Sequence, residues 1–328
     1  MLNFLKVIRY QNLLYIAFIQ LVMQKVVIAP ILQTFGFQTS IDNSLLFLLI
    51  SSTVLIAAGG YVLNDYFDIK IDAINRPEKQ LVGIKIQRHN AMLMHQIMSG
   101  LGISCGLILA FFTRSFTFGF IYIVIPGLLW FYSASYKRQF IVGNIVISFI
   151  TSITVLIVGI CQLSILENEY GKLIYETAIP RQIYGWIGGF SLFAFLCTWI
   201  REIIKDIEDG KGDRELECHT MPVVWGISRT KWFLYGLIIV TICGLVIANS
   251  IFIHFEGTLT LRYIIFGLAI PFIVLTYLLY MAKERIDYNQ ASTLLKIIML
   301  IGVSYGFIFY YLEAKTFGIS LFNLFIVK

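Results

Sequence analysis

Charged side chains are scarce in this chain of 328 residues, of which only 13% are Asp, Glu, Lys or Arg. This scarcity excludes an ordinary soluble domain, in which about a quarter of the residues are charged. The five cysteines form no C-x-x-C pair, so the sequence carries no signature of a zinc site or a disulfide framework. No low-complexity segment or flexible linker divides the chain. We therefore expect one integral domain over residues 1–328.

Long apolar runs fill the chain in place of charge. Apolar residues make up 58% of the sequence, and the mean hydropathy is +0.81. Stretches long enough to cross a hydrocarbon core of about 30 Å as helices recur along the whole chain. They cover about 12–32, 44–63, 91–112, 117–135, 141–163, 184–200, 232–253, 262–282 and 294–313. The sequence therefore predicts an all-α polytopic membrane protein, with nine transmembrane helices around a central cavity.

The distribution of Lys and Arg predicts how these helices are oriented. With a cytoplasmic N-terminus, 17 of the 25 basic residues fall in cytoplasmic segments and six in external ones. This bias follows the positive-inside rule, so we expect the N-terminus to be cytoplasmic. The longest cytoplasmic loops are then about 64–90 and 201–231, which we expect to cap the functional site. Because the basic residues lie beside spans, they do not indicate a nucleic-acid partner.

Six of the eight aspartates form two copies of one pattern, D-x-x-D-x-x-x-D, separated by 141 residues. The copies are Asp65, Asp68 and Asp72, and Asp206, Asp209 and Asp213. The offset suggests two related halves, about 1–140 and 141–290, followed by a last helix. At 100° per residue, each triplet falls within an arc of about 60° on one helix face. Gly210 and Gly212 weaken the second helix, so Asp213 lies either on the helix or on a turn that follows it, and in both cases three carboxylates converge from each motif.

Two acidic clusters at the ends of membrane spans indicate a metal site, because Asp is costly in a membrane helix and such residues mark functional positions. Mg²⁺ prefers oxygen ligands and is usually held by carboxylates together with substrate phosphate oxygens. Two facing clusters therefore predict a diphosphate bridged by Mg²⁺, and the bilayer around them predicts a polyprenyl tail. The basic residues near the motifs that are candidates for binding phosphate are Arg76, Lys137, Arg201 and Lys205.

Two other interpretations of the aspartates stay open at this point. The first is that they are solvated loop charges balancing nearby Lys and Arg, which two copies of one spacing make improbable. The second is a cation-coupled membrane transporter, since transporters also use acidic clusters and repeats. Transport sites lie near the midplane of the bilayer, however, whereas these aspartates lie at the ends of spans.

Both acidic motifs resemble signatures of the UbiA superfamily of intramembrane prenyltransferases. Residues 64–77, NDYFDIKIDAINRP, are similar to the first signature, and residues 201–213, REIIKDIEDGKGD, are similar to the second. The resemblance covers the whole chain. Smaller matches are Arg9, Asn12, Tyr132, Lys137, Gly143 and Asn144.

This resemblance implies a prenyltransferase in a prokaryotic cell membrane, with its site facing the cytoplasm. It implies a polyprenyl diphosphate donor and two Mg²⁺ ions, held by Asn64 and the six motif aspartates, which are also implied to be catalytic. The residues implied in substrate binding are Asn12, Asn64, Arg76, Tyr132, Lys137, Asn144, Arg201 and Lys205. The motifs are most similar to those of enzymes that transfer a geranylgeranyl group to a hydroxyl of geranylgeranylglyceryl phosphate. An aromatic ring of a quinone, haem or chlorophyll precursor is the alternative acceptor.

Overall fold

The computed structural model describes residues 2–37, 41–253, 255–322 and 324–326. In this part of the chain, nine helices are long and apolar enough to cross a membrane, which confirms the predicted all-α architecture. They are α1 (Tyr10–Thr34), α2 (Asn43–Phe67), α3 (Arg88–Phe112), α4 (Phe116–Ala134), α5 (Val142–Glu176), α6 (Ile179–Glu215), α7 (Ile227–Ile251), α8 (Leu259–Met281) and α9 (Arg285–Phe317). The shortest, α4, has 19 residues and is therefore about 28 Å long.

Short elements connect these helices or interrupt them. Short α-helices lie at Leu2–Val7, Ile69–Asn75 and Met221–Trp225, and 3₁₀ turns lie at Pro77–Lys79, Tyr136–Arg138 and Gly171–Glu176, the last of which ends α5. Two spans contain π-helical segments, Met23–Ile28 in α1 and Tyr263–Ala269 in α8. After α9, strand β1 (Ser320–Leu321) pairs antiparallel with strand β2 (Phe325–Ile326).

Amide side chains fix α1 against its neighbours inside the membrane-spanning region. Gln20 Nε2 donates hydrogen bonds to Thr53 Oγ1 of α2 (3.1 Å) and to the carbonyl oxygen of Thr154 in α5 (3.0 Å). Gln24 Nε2 donates to Gln162 Oε1, also in α5, at 2.8 Å. Such bonds hold helices together where lipid provides no hydrophobic driving force between them. They set the position of α1, and with it the residues that precede the helix.

The two acidic motifs lie on helices of different continuity. Helix α6 runs unbroken through Gly210 and Gly212 to Glu215, so Asp213 lies on the helix and no turn presents it. The interruption is instead in the first motif, where α2 ends at Phe67 and Asp68 takes φ −90° and ψ 2°. The Asp72 N–H still donates to the Asp68 carbonyl oxygen at 2.8 Å, and the chain continues as the helix Ile69–Asn75.

Candidate active site

The first motif begins with Asp65, in the last turn of α2. Arg9 Nη2 donates a hydrogen bond to Asp65 Oδ1 at 2.7 Å. Arg9 lies between Leu2–Val7 and α1 in the left-handed region (φ 52°), and its guanidinium is 5.0 Å from the centre of the Tyr61 ring. Asn12, in the first turn of α1, lies beside Tyr61. The start of α1 therefore covers one side of the first motif.

Asp68 is held by two side chains that the sequence also singled out. Asn64 Nδ2 donates to Asp68 Oδ2 at 2.7 Å, and Lys137 Nζ forms an ion pair with Asp68 while lying 3.4 Å from Asn64 Oδ1. Burial lowers the pKa of Lys137, and the neighbouring Asp68 carboxylate opposes that shift. Gly143 makes this placement possible, because a Cβ atom there would lie 2.5 Å from the Cα atom of Lys137.

Asp72 differs from the other two aspartates of its motif. Within the described residues its carboxylate has no hydrogen bond and no ion pair, whereas Asp65 and Asp68 each have both. Burial raises the pKa of Asp72 to about 6, and repulsion from Asp68 and Asp65 adds to the shift. The first motif therefore contains a negative charge that the protein does not compensate.

The second motif lies on the last three turns of α6. Asn144 Nδ2, at the start of α5, donates to Asp206 Oδ2 at 2.8 Å. Thr220 Oγ1 donates to Asp213 Oδ2 at 2.9 Å. Arg76 Nη2 lies 2.8 Å from each carboxylate oxygen of Asp209. Each carboxylate of this motif is thus held by a residue from another segment of the chain.

Asn75 and Arg76 join the two motifs directly. The buried side chain of Asn75 donates to the carbonyl oxygen of Asp209 and accepts from the N–H of Gly212, both at 3.0 Å. This approach requires glycine, because a Cβ atom on Gly212 would lie 2.6 Å from Asn75 Nδ2. The end of the first motif is therefore fastened to the helix that carries the second.

The first residue of α9 contributes to the same junction. Arg285 hydrogen-bonds to the carbonyl oxygen of Asn75 and lies 3.7 Å from Glu208 Oε1 and 3.8 Å from Asp209 Oδ1. Glu208 is buried and also receives a contact from Arg76 Nη2 at 3.3 Å. Sequence analysis missed both Arg285 and Glu208. No motif or spacing in the sequence around Arg285 indicates a role in the site. For Glu208, the one available indication was its position next to Asp209.

A cavity of about 90 Å³ lies between the motifs and is partly open to solvent. Nine of the predicted site residues line it: Asn64, Asp68, Tyr132, Lys137, Asn144, Lys205, Asp206, Asp209 and Asp213. The other five predicted site residues lie outside the lining of the cavity: Asp65, Asp72, Asn12, Arg76 and Arg201. Thr220 and Glu202 line it as well. The two motifs therefore face one space, as the sequence predicted.

Lys205 and Arg201 both contact Glu202, although only Lys205 reaches the cavity. Lys205 Nζ lies 3.0 Å from Glu202 Oε2, and Arg201 Nη1 lies 3.0 Å from Glu202 Oε1. Arg201 is one turn further from the end of α6 than Lys205, which places it deeper in the bundle. The two cations therefore share a carboxylate and a helix face, and Lys205 is the one that lines the cavity.

The donor set of the cavity fits a hard dication. Its ligands are carboxylate and amide oxygens, which Mg²⁺ prefers. Asp72 lies outside the lining, in the same motif as Asp68, and carries an uncompensated charge that a cation bound nearby would relieve. In the described part of the chain, no three acidic, His or Cys side chains converge on one point. Several motif carboxylates are instead paired with Arg9, Lys137 and Arg76.

Comparison with known proteins agrees with this architecture. The UbiA prenyltransferase family matches residues 27–301. A digeranylgeranylglyceryl phosphate synthase of Methanosphaera stadtmanae is 31% identical over 255 residues, which are 76% of this chain and 83% of the relative. A synthase of the same name from Sulfolobus acidocaldarius is 30% identical over 257 residues, with coverage of 77% and 81%.

Solved structures share the fold over nearly the whole chain. A digeranylgeranylglyceryl phosphate synthase in membranes has a TM-score of 0.63 at 24% identity, covering 93% of this chain and 96% of that one. A UbiA homologue from Archaeoglobus fulgidus bound to DMAPP and Mg²⁺ has a TM-score of 0.59 at 16% identity, with coverage of 94% and 99%. The nine spans, the paired motifs and the match to most of the sequence lead to one assignment. The chain is an integral membrane protein that belongs to the UbiA prenyltransferase family.

Proposed function

We propose that this prenyltransferase transfers a geranylgeranyl group from geranylgeranyl diphosphate to a hydroxyl of geranylgeranylglyceryl phosphate. The observation that carries the transfer is the cavity lined by both acidic motifs together with Lys137 and Asn144. The choice of acceptor is supported by the relatives named digeranylgeranylglyceryl phosphate synthase, at 31% and 30% identity over most of both chains.

Mg²⁺ is the proposed cofactor, held by Asn64 and by aspartates of both motifs. When bound, Mg²⁺ supplies positive charge that neutralises the diphosphate as it leaves the prenyl carbon. The residues proposed to hold it are Asn64, Asp65, Asp68, Asp72, Asp206, Asp209 and Asp213. This proposal is supported by the oxygen donors of the cavity and by the uncompensated Asp72 carboxylate.

The cations of the cavity are proposed to bind the diphosphate oxygens. Lys205 of the second motif and Lys137, which pairs with Asp68 of the first motif, both line the cavity. Each is proposed to donate to the diphosphate from its own side of the cavity. Arg76, outside the lining of the cavity, holds Asp209 in place. Its guanidinium group is also proposed to donate two hydrogen bonds to the phosphate oxygens. Breaking the allylic C–O bond leaves positive charge on the prenyl carbon. Tyr132, which lines the same cavity, is proposed to stabilise that charge with its ring.

We also propose that the site faces the cytoplasm. The ends of α2 and α6 and the starts of α1, α5 and α9 meet around the motifs, and 17 of the 25 Lys and Arg residues lie on that side. Labelling of single cysteines introduced near Arg88 and near Arg114, in intact cells, tests the orientation. Reaction of the first position with a membrane-impermeant reagent would contradict it.

The decisive experiment is mass spectrometry of the products formed by purified protein from geranylgeranyl diphosphate and Mg²⁺ with a panel of acceptors. The expected product is an acid-stable ether with geranylgeranylglyceryl phosphate. A prenylated aromatic ring would instead establish the alternative acceptor class. Asp68→Ala and Asp209→Ala are each expected to abolish diphosphate release. Asp42→Ala, at the opposite end of α2 from Asp68, is the control that keeps it.

A further inference from the structure

Four charged side chains meet where the end of the first motif contacts α6. Two are the guanidinium groups of Arg76 and Arg285, and two are the neighbouring carboxylates of Glu208 and Asp209. Arg76 Nη2 lies 3.3 Å from Glu208 Oε1 and 2.8 Å from Asp209 Oδ1. Arg285 lies 3.7 Å from the first of these oxygens and 3.8 Å from the second. We call these four residues the junction network, in which two positive charges balance two negative ones.

The two carboxylates of the junction network differ in what they contact. Asp209 lines the cavity between the motifs, and its side chain is 24% exposed. Glu208 lies outside the lining of the cavity, and its side chain is only 5% exposed. Asn289 Nδ2 of α9 lies 3.4 Å from Glu208 Oε1, the same oxygen that both guanidinium groups approach. Asp209 is therefore accessible to a ligand, whereas Glu208 contacts only the protein.

Binding of a metal by Asp209 disturbs the balance of the junction network. Both carboxylate oxygens of Asp209 lie 2.8 Å from Arg76 Nη2, so the guanidinium occupies the atoms that a Mg²⁺ ligand has to offer. If Asp209 were the only partner of Arg76 and Arg285, its binding to a metal would leave two partly buried cations unpaired. Unpaired charges away from water are costly, so such a network would oppose metal binding. A second carboxylate removes this conflict.

We infer that Glu208 is a positioning residue for Asp209, which keeps Arg76 and Arg285 paired and so leaves the Asp209 carboxylate available to Mg²⁺. This inference rests on the proposed function, because it concerns the metal site named there. Glu208 acts through its neighbour and touches neither the metal nor the substrates. With Glu208 in place, one carboxylate still faces the two guanidinium groups after Asp209 has changed partner.

The test measures Mn²⁺ binding to the purified protein without substrates, from the electron paramagnetic resonance signal of the free ion. Mn²⁺ is suitable because it accepts the oxygen ligands of a Mg²⁺ site. Glu208→Gln removes the negative charge at nearly constant volume, and it is expected to weaken Mn²⁺ binding roughly tenfold. Glu208→Asp retains the charge and is expected to recover most of that loss.

Substitution of Arg285 should have the opposite effect. Arg285→Gln removes one of the two cations that compete for Asp209, so Mn²⁺ binding should tighten roughly fivefold. In the double variant Glu208→Gln/Arg285→Gln, one guanidinium faces one carboxylate, and the affinity should return close to the wild-type value. The side chain of Arg285 is 42% exposed at the start of α9, so Arg285→Gln stays informative even if Glu208→Gln alone does not fold.

Glu215→Gln is the matched control. It is the same substitution on the same helix, about two turns beyond Glu208. The Glu215 side chain is exposed and makes no ion pair with any residue that the structure describes. Its Mn²⁺ affinity should equal that of the wild type. An unchanged affinity in folded Glu208→Gln or in Arg285→Gln would overturn the inference, and so would an equal loss in Glu215→Gln.

Product formation separates this role of Glu208 from a purely structural one. In Glu208→Gln, the Mg²⁺ concentration for half-maximal activity is expected to rise roughly tenfold, while kcat at saturating Mg²⁺ stays within about twofold. A residue that only stabilises the fold would lower kcat at every Mg²⁺ concentration, and that result would contradict the inference.

The two assays also separate the inference from the proposed function. If the wild type forms no ether product but Mn²⁺ binding shifts as expected in the variants, the acceptor assignment fails and the role of Glu208 stands. If the ether product forms but Mn²⁺ binding is the same in all variants, the proposed function stands and the role of Glu208 is refuted.

Discussion

The contact between Asn75 and Gly212 predicts opposite effects for two glycine substitutions on the same helix. A Cβ atom on Gly212 would lie 2.6 Å from Asn75 Nδ2, whereas a Cβ on Gly210 would meet nothing within 4 Å. Gly210→Ala should therefore stabilise the protein by about 0.5–1 kcal/mol, which is the helix propensity that alanine gains over glycine. Gly212→Ala should destabilise it by about 2–3 kcal/mol, because it displaces a side chain that makes two buried hydrogen bonds.

A double-mutant cycle with Asn75→Ala makes this prediction sharper. Once the Asn75 side chain is removed, Gly212→Ala has no clash, so its effect should change sign and approach the gain seen for Gly210→Ala. The assay is reversible unfolding in mixed micelles, with the apparent melting temperature as a second readout. If Gly212→Ala and Gly210→Ala have equal effects in the wild-type background, the Asn75 side chain does not pack against Gly212 of α6. The junction of the two motifs described above would then be wrong.

Three further outcomes are expected from the site. Gly143→Ala should lower kcat by about tenfold or more, because the new Cβ atom would lie 2.5 Å from the Lys137 Cα atom and displace Lys137. An unchanged kcat in the mass-spectrometric assay would contradict this expectation. Asp72→Asn should abolish product formation yet raise the free energy of unfolding in EDTA at pH 7 by about 1 kcal/mol. The pKa of the Asp72 carboxylate is raised to about 6, so its ionisation is unfavourable in the folded state. Wild-type stability in EDTA should therefore rise as pH falls from 7 toward 4, and the variant should show a smaller rise. EDTA should stop product formation and added Mg²⁺ should restore it, with helix content by circular dichroism unchanged throughout; turnover in EDTA would refute the metal requirement.

Sequence patterns predicted the spans and the meeting of the two motifs because both depend on local regularities. Apolar runs longer than a bilayer core is thick specify a helix almost regardless of context. The repeated aspartate spacing predicted that Asp68 and Asp209 would face one cavity, and both line it. These patterns did not identify the residues that pair with the side chains and backbone of the motifs. Arg285 contacts the backbone of Asn75 from 210 positions away, and no local pattern connects residues at that separation.

Helix propensity alone did not decide where the chain would break. Gly210 and Gly212 favoured an interruption in the second motif, yet α6 is continuous there and the interruption follows Phe67 in the first. The reason is tertiary packing, which routinely outweighs a propensity difference of about 1 kcal/mol. Asn75 occupies the space that a side chain at 212 would need. The glycine was thus read as a weak point in the helix, whereas it is a point of close contact.

The pairing of Asp65, Asp68 and Asp209 with Arg9, Lys137 and Arg76 has a consequence for how this protein matures. The cavity supplies its own counterions, so a newly inserted chain can close its bundle before any metal or lipid arrives. Under the proposed function, substrate loading is then an ion exchange, in which internal cations leave carboxylates and bind phosphates. Assembly in the membrane is thereby uncoupled from the supply of magnesium and isoprenoid.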